Sequence, residues 1–387
     1  MDVQVANILR RMEHDDTFAL LRDSIRRFVD NEVVPHGQAW ERQGFVPREL
    51  LRRLGALGYL GLRHPERFGG GGLDARATAL LAEELGRSTF GGFAITVLVH
   101  TDMASPHLAN GGSPAQLERW MPKIVSGECI TAVAVTEPDA GSDVKAIRTS
   151  ARRDGDGWVL NGAKMFITNG ALADLYFVAA KTDPAGGSKG ISIFAVEKGT
   201  PGLAVARRLD KLGWRSSDTA ELVFQDCRVP AANLVGEEHR GFYAIMRNFQ
   251  NERIAIAAMA TGEASRALEL TLEYVRTRKA FGAPLWDKQA IRQKLSMLAA
   301  KVEAGRRLVE HAALLDAAGG DCVKEVSMAK AYCGELVNEV MYACLQCHGG
   351  AGYMRETPIE RMFRDARVQS IGGGATEVML EEVAKRL

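Results

Sequence analysis

The sequence predicts an α+β protein in which a small β domain lies between two helical domains. Apolar residues recur every three or four positions in the first third of the chain, as on one face of a helix. They then alternate with polar residues in the middle of the chain, and the helical spacing returns after Gly241. These changes place the predicted domains at residues 1–127, 128–237 and 238–387 of the 387-residue chain.

The N-terminal domain is predicted to be helical from residue 16 to about residue 126. One helical face is formed by Phe18, Leu21, Ile25 and Phe28. Leucines repeat this spacing between residues 50 and 57, and a further helix is expected over residues 75–85. The glycine run at residues 69–72 predicts a loop before that helix.

The middle domain is predicted to be a small sheet. Strand-like runs occur at residues 158–160, 175–178, 191–196 and 221–224, and clusters of Gly, Asp and Pro separate them. After Gly241 the helical pattern continues almost to Leu387, with glycine-rich breaks between helices. This last part is therefore expected to form a helical bundle.

The charge balance excludes several classes of partner. The chain has 49 basic and 48 acidic side chains, a net charge of +1, so bulk charge draws it neither to nucleic acid nor to an anionic membrane. No apolar run is as long as a membrane span, and the acidic residues among positions 1–16 are unlike a signal or transit peptide. We therefore expect a cytoplasmic protein, and the six scattered cysteines do not predict a disulfide scaffold.

A strand followed by a tight turn is predicted at residues 133–143, which we call the first segment. The apolar alternation indicates a half-buried strand, and Pro138, Asp139 and Gly141 then require a turn. Small side chains in such a turn leave backbone N–H groups open to a planar heterocycle or a phosphate. An ordinary tight turn is the alternative interpretation.

Glu252 is the most informative single side chain. On a helix drawn at 100° per residue it lies on the apolar face formed by Ile245, Phe249, Ile256 and Met259. Burial disfavours the charged form of a carboxylic acid and raises its pKa, which suits a general base. An ion pair with a basic residue such as Arg253 is the structural alternative.

We call residues 162–170 the second segment. The two segments together closely resemble the flavin-holding segments of the acyl-CoA dehydrogenase family. The order of helices, sheet and helices extends this resemblance over essentially the whole chain. It implies an N-terminal helical domain, a β-barrel-like middle domain and a C-terminal four-helix bundle. It also implies FAD as cofactor, an electron-transferring flavoprotein as electron acceptor, and a homotetramer built as a dimer of dimers.

The position of the catalytic base departs from most of the family. The usual glutamate stands in a C-terminal segment that here reads Ile371 to Glu377, with Gly373 at the glutamate position. Asn251-Glu252-Arg253 instead resembles the isovaleryl-CoA, long-chain and citronellyl-CoA dehydrogenase branch, which carries the base on the first long helix after the sheet. Glu252 is therefore the expected base and Glu377 its rival, while Gly373 can still offer its backbone N–H to the thioester oxygen.

The resemblance also implies the reaction. Glu252 would take the α-proton of an acyl-CoA thioester while a hydride passes from Cβ to flavin N5, giving the trans-2-enoyl-CoA. The acyl chain is expected to be branched or of medium to long length. An oxidase that uses O2 and a non-catalytic binder of flavin and acyl-CoA are the alternatives.

Further site residues are carried over from the family by position. The expected FAD contacts are Val133, Val135, Thr136, Gly141, Ser142, Phe166, Ile167, Thr168, Arg278, Phe281, Gln289, Gln346, Gly349, Gly350, Thr376 and Glu377. The expected substrate contacts are Ser142, Tyr243, Gln250, Arg253 and Gly374. Two positions depart from the family pattern, since Gln250 replaces an aspartate and Ala375 replaces a threonine.

Two of these groups form recognisable motifs. Residues 278–282 resemble the family's Arg-x-x-Phe-Gly, which with Gln289 reaches the FAD of a neighbouring subunit. Residues 346–350 resemble its Gln-x-x-Gly-Gly loop at the adenosine diphosphate, where glycine lets the backbone approach phosphate. Cys344, Cys347 and His348 also have the spacing of a c-type haem attachment site, but that chemistry requires export.

Overall fold

The computed structural model describes residues 16–387, and these residues form two compact units. The sheet unit consists of Ala39–Leu73 and Ile95–Glu252. The bundle unit consists of the described residues through Gln38, together with Asp74–Ala94 and Arg253–Leu387. The interpretation of the N-terminus as unlike an export signal concerns residues 1–15, which lie outside the described part. Within residues 16–387, no helix combines the length and the apolar character needed to cross a membrane.

The first third of the described chain is helical, as predicted. Its helices are α1 (Asp16–Phe28), α2 (Gly37–Gln43), α3 (Arg48–Ala56), α4 (Ala75–Gly86), α5 (Gly91–Leu98), α6 (Ser105–Gly111) and α7 (Pro114–Val125). Their starts follow ordinary capping rules: Asp74 accepts from the backbone N–H of Arg76, and Ser113 forms a capping box with Gln116. Two stretches, Val29–Val33 and Val99–Ala104, widen into π-helix.

The last third is also helical. Its helices are α8 (Gly241–Thr277), α9 (Gln289–Ala317), α10 (Val323–His348), α11 (Pro358–Ala366) and α12 (Thr376–Ala384). Within the bundle unit, α4 and α8 touch through backbone, because a Cβ at Gly262 would lie 2.0 Å from the carbonyl oxygen of Glu83. The buried Glu84 of α4 also binds Arg26 of α1 at 2.8 Å.

The middle third forms a mixed sheet. Its strands are β1 (Thr131–Ala134), β2 (Ser150–Asp154), β3 (Gly157–Thr168), β4 (Leu175–Lys181), β5 (Ile191–Glu197), β6 (Leu203–Arg208), β7 (Thr219–Pro230) and β8 (Leu234–Val235). The order is β6-β7-β3-β2-β4-β5-β8, with β1 parallel to β4. A short ribbon, β9 (Lys279–Ala280) with β10 (Ala283–Pro284), follows α8.

The core of the sheet unit lies on both faces of β4 and β5. Phe177 and Ile193 pack with Trp120 on one face. Trp158 and Phe194 meet edge to face at 5.2 Å on the other. Because successive side chains point to opposite faces, strands buried on both sides read as continuous apolar runs. The predicted α+β class and the order helices, sheet, helices are confirmed, while the three domain boundaries stay predictions.

Candidate active site

The two flavin-like segments lie side by side in the sheet unit. The backbone N–H of Met165 in β3 donates to the carbonyl of Thr136 at 2.9 Å. The turn after β1 is closed by reciprocal backbone hydrogen bonds between Glu137 and Ala140, at 2.9 and 3.2 Å. Residues that are far apart in the sequence therefore form one continuous polar edge.

A buried ion pair supports this edge. Lys164, which is fully buried, places its Nζ 2.8 Å from Glu137 Oε1 and donates to the carbonyl of Val135 at 3.0 Å. Burial lowers the pKa of Lys164 to about 8, against the opposing effect of Glu137. Burial acts to raise the pKa of Glu137, but Lys164 and the backbone N–H groups of Thr149 and Arg148 outweigh it, so that pKa is lowered.

The outer surface of the edge has an exposed aromatic ring and an open glycine turn. Phe166 is 66% exposed and has a positive φ of 60°, an uncommon and strained conformation for an aromatic residue. Gly141 and Ser142 are exposed in the turn, and a Cβ at Gly141 would meet no atom within 4 Å. Such an open glycine turn lets a phosphate approach backbone N–H groups.

The remaining predicted contacts of the edge vary in exposure. Val133, Thr136 and Thr168 are half-buried, whereas Val135 and Ile167 are buried. The side chains of Val135 and Ile167 can therefore support the edge only from inside, and only their backbone groups could contact a cofactor.

Asn169, which was not among the predicted site residues, holds the end of β3. It is buried, has a positive φ of 61°, and its Nδ2 donates to the carbonyls of Thr96 and Thr131 at 3.0 and 3.3 Å. These bonds join the end of β3 to α5 and to the start of β1. The sequence signal that could have found Asn169 is its place before Gly170 at a strand end, since asparagine tolerates left-handed backbone.

The helical face around Glu252 is largely buried. Ile245, Ile256 and Met259 are at most 3% exposed, Phe249 is half-buried, and Glu252 itself is half-buried. A carboxylate with this partial exposure keeps contact with solvent while lying on an apolar helix face. On the same helix, Gln250 is half-buried and the ring of Tyr243 is 42% exposed.

The C-terminal segment of the bundle unit has backbone that favours glycine. Gly373 has a φ of +65° and Gly374 a φ of +106°. A Cβ at Gly374 would lie 2.6 Å from Met379 Cε, and its carbonyl accepts a hydrogen bond from Lys330. The absence of a side chain at Gly373 thus agrees with the local backbone, in which any other residue would be strained by roughly 1 kcal/mol.

The rival base and its neighbour lie at the start of α12. Glu377 is exposed in the first turn of that helix. Thr376 Oγ1 donates to Glu335 Oε1 at 2.6 Å, so its hydroxyl already has a protein partner. Arg253, a predicted substrate contact in the same unit, is only 8% exposed.

The predicted contacts to a neighbouring subunit's FAD are all exposed in the bundle unit. Phe281 is 98% exposed at a positive φ of 54°, and Arg278 and Gln289 are exposed beside it in sequence. Within the unit, Lys288 Nζ lies 5.9 Å from the centroid of this exposed ring, which otherwise leaves an apolar surface open to a partner.

The glycine loop after α10 is open in the same way. Gln346, Gly349 and Gly350 are exposed, and a Cβ at either glycine would meet no atom within 4 Å. His348, at the start of the loop, anchors it to Tyr274. The two rings stack with their centroids 4.3 Å apart, and the carbonyl of His348 accepts a hydrogen bond from Tyr274 Oη at 3.2 Å. Cys344, by contrast, is fully buried, and burial raises the pKa of its thiol to about 12, unlike a thiol available for haem attachment.

An open sheet edge in one unit and an open glycine loop in the other are features expected of a flavin-dependent oxidoreductase. Models of the acyl-CoA dehydrogenase N-terminal, middle and C-terminal domains match residues 15–128, 132–227 and 239–387. The chain belongs to the acyl-CoA dehydrogenase family, whose members are FAD flavoproteins. The predicted family, enzyme class and cofactor are thereby confirmed.

Individual relatives support the same assignment. The chain is 42% identical over 377 residues to the mitochondrial long-chain specific acyl-CoA dehydrogenase of Sus scrofa, covering 97% of this chain and 86% of that one. It is 36% identical over 375 residues to the mitochondrial isovaleryl-CoA dehydrogenase of Oryza sativa, covering 96% and 91%. The crystal structure of acyl-CoA dehydrogenase from Geobacillus kaustophilus superposes with a TM-score of 0.92 at 40% identity, covering 96% and 97%.

Proposed function

We propose that this protein removes the α- and β-hydrogens of a branched or medium-to-long acyl-CoA, with Glu252 as the base. The observation that carries the proposal is the pairing of two features. Glu252 is a half-buried carboxylate on a buried helix face, and Gly373 has no side chain at the position that usually carries the family's glutamate.

The residues of this chain have distinct tasks in the proposed reaction. Glu252 accepts the α-proton from its half-buried place on the apolar face of α8. The backbone N–H of Gly373 donates to the thioester oxygen as negative charge develops there, which lowers the barrier to proton loss. Bound FAD supplies the acceptor for the hydride that leaves Cβ.

The residues that would hold FAD follow from the exposed surfaces of each unit. Phe166, Ser142 and the turn at Gly141 offer a ring face and a phosphate site in the sheet unit. In the bundle unit, the loop at Gly349 and the exposed Phe281 offer a dinucleotide contact and an aromatic surface.

The proposal extends to partners and location. A ring as exposed as Phe281 supports a contact with the FAD of a second subunit, and so a homotetramer built as a dimer of dimers. An electron-transferring flavoprotein is the proposed electron acceptor, as in the family. The cytoplasmic location inferred from the sequence stays a prediction.

Anaerobic titration with a panel of acyl-CoAs tests the proposal. The flavin absorbance should bleach with the preferred substrate, and Glu252→Gln should abolish bleaching while FAD stays bound. Glu377→Gln, a matched change at the rival position, should bleach as the unchanged protein does. Bleaching by Glu252→Gln would assign the base elsewhere.

The same preparation separates the two alternatives. Stoichiometric release of hydrogen peroxide under air would identify an oxidase. Failure to bleach with any acyl-CoA, despite tight binding, would identify a non-catalytic binder.

A further inference from the structure

Two asparagines bind the helical turn that carries Glu252 to the neighbouring π-helix. Asn248 Nδ2 donates to the carbonyl of Met103 at 2.8 Å, and Asn251 Nδ2 donates to the carbonyl of Asp102 at 2.7 Å. The two asparagines are 6% and 8% exposed, so water competes little for these bonds. We refer to Asn248 and Asn251 as the asparagine pair.

The acceptors belong to an unusual stretch of backbone. The π-helix Val99–Ala104 follows α5 directly, and all six of its residues are buried. A π-helix is rare and frequently lies at a functional site, because its wider turn must be held by contacts from outside. The asparagine pair supplies two such contacts from α8, within the sheet unit.

Asn251 is held at both ends of its amide. Its Oδ1 accepts from the Arg63 guanidinium, while Asp102 Oδ1 lies 3.4 Å from its Nδ2. The other oxygen of the Asp102 carboxylate accepts from Thr101 Oγ1 at 2.5 Å. The half-buried Arg63 guanidinium, the buried Asn251 amide and the buried Asp102 carboxylate thus form one polar network, and such a network fixes rotamers more firmly than single bonds do.

The polar network lies next to Glu252 and fixes the helical turn that carries it. Glu252 follows Asn251 directly and lies four residues after Asn248, so all three share one helical turn. Because two side chains of this turn, one and four residues before Glu252, bind the π-helix, the direction of the Glu252 Cα–Cβ bond is fixed as well.

We propose that Asn248 and Asn251, together with Arg63 and Asp102, are positioning residues that aim Glu252 for proton abstraction. This inference rests on the proposed role of Glu252 as the base. A displacement of about 1 Å between a base and its proton costs about 100-fold in rate, so even a small shift of the turn matters.

The test compares leucine variants of the asparagine pair with a matched control in the FAD-loaded enzyme. Asn251→Leu and Asn248→Leu remove the amide with little change in volume. Asn338→Leu is the control, because Asn338 on α10 also donates to two backbone carbonyls, those of Gly334 and Ala366, at 2.7 and 3.2 Å. Thermal unfolding and FAD content would verify that each variant is folded.

The decisive measurement is exchange of the α-hydrogens with D2O in a 3-thiaacyl-CoA. Sulphur replaces Cβ in this analogue, so no hydride can leave and only the proton transfer is observed. In Asn251→Leu we expect exchange about 10- to 100-fold slower, a shifted pH profile, and a dissociation constant for the analogue within about threefold of the unchanged protein. Backbone amide exchange in residues 245–252 should also accelerate in the same variant.

Each outcome bears on a different claim. Equal α-hydrogen exchange rates and pH profiles in Asn251→Leu and Asn338→Leu would overturn the positioning role. Unchanged exchange in Glu252→Gln would instead overturn the proposed base. If Asn251→Leu does not fold, Asn251→Asp keeps the acceptor for Arg63 but loses the donor to Asp102, and it should show slower exchange with the same signature.

Discussion

Lys164 of β3 and Glu137 of the turn after β1 form an ion pair with 2.8 Å between Nζ and Oε1, in which neither side chain is more than 6% exposed. The pair joins the two strands whose ends make the flavin-like edge. Because Glu137 also accepts from two backbone N–H groups, it holds the turn and the strand at once. Removing either charge would leave the other buried without its counterion.

We therefore expect Lys164→Met to lower the free energy of unfolding by about 3–5 kcal/mol, measured by urea denaturation. Bound FAD should be lost at lower urea concentrations than those that unfold the chain, since the turn lies at the edge. Lys301→Met is a suitable control, because the side chains of the Lys301–Glu339 pair are 38% and 50% exposed and the pair should contribute less than about 1 kcal/mol. Equal losses in the two variants would contradict this view of the buried pair.

Three buried histidines predict a loss of stability in mild acid. Burial lowers the pKa of His64, His100 and His107 to about 4 each, from 6.5. Between pH 6.5 and pH 4 the unfolded chain therefore binds protons that the folded chain does not, and stability falls as the pH falls. The expected slope is about 1 kcal/mol per pH unit for each histidine.

Urea midpoints measured at pH 7, 6 and 5 test this expectation. His107→Leu should reduce the slope by about one third, because His107 packs near the Phe177 ring at a centroid distance of 6.3 Å and leucine does not titrate. His36→Leu is the comparison variant, since the His36 side chain is exposed. A midpoint independent of pH from 7 to 5 would show that these histidines remain free to protonate in the folded chain.

Phe281→Ala should weaken FAD binding without affecting folding. The ring is 98% exposed, so its removal should change the free energy of unfolding by less than about 0.5 kcal/mol. Loss of one aromatic contact to a cofactor is expected to raise the FAD dissociation constant by about tenfold. Leu20→Ala, at an apolar side chain that is 69% exposed, serves as the control and should leave FAD affinity unchanged.

Gly373→Ala should retain activity at some cost in stability. Alanine keeps the backbone N–H that the thioester oxygen would use, but it is strained at a φ of +65°. We expect a loss of about 1 kcal/mol in the free energy of unfolding and a kcat within about threefold of the unchanged protein. A much larger loss of kcat, with FAD still bound, would mean that the glycine is needed for space around the substrate.

Local patterns predicted the sheet and the helix face because burial leaves a short-range signature. The apolar runs at residues 175–178 and 191–196 lie in β4 and β5, and Ile245 and Met259 are buried as the helical period requires. By contrast, β6 was not foreseen, because five of its six residues are exposed and its sequence therefore lacks the alternation of a half-buried strand.

The supporting contacts could not be predicted because they join distant residues of types that usually face solvent. Lys164 and Glu137 are 27 residues apart, and Asn251 and Asp102 are 149 apart. Nothing near a buried lysine in the sequence reveals its partner. The π-helix Val99–Ala104 was likewise not predictable, since its mixture of apolar and polar residues fits α-helical spacing equally well.

The discontinuity of the bundle unit has a consequence for synthesis on the ribosome. The sheet unit is complete once residue 252 has left the exit tunnel, but α1 and α4 belong with Arg253–Leu387. The contact between Glu83 of α4 and Gly262 can therefore form only after the last third of the chain has been synthesised. During translation the faces of α1 and α4 that pack on the last third of the chain stay exposed, and such transiently exposed apolar surface is what chaperones bind.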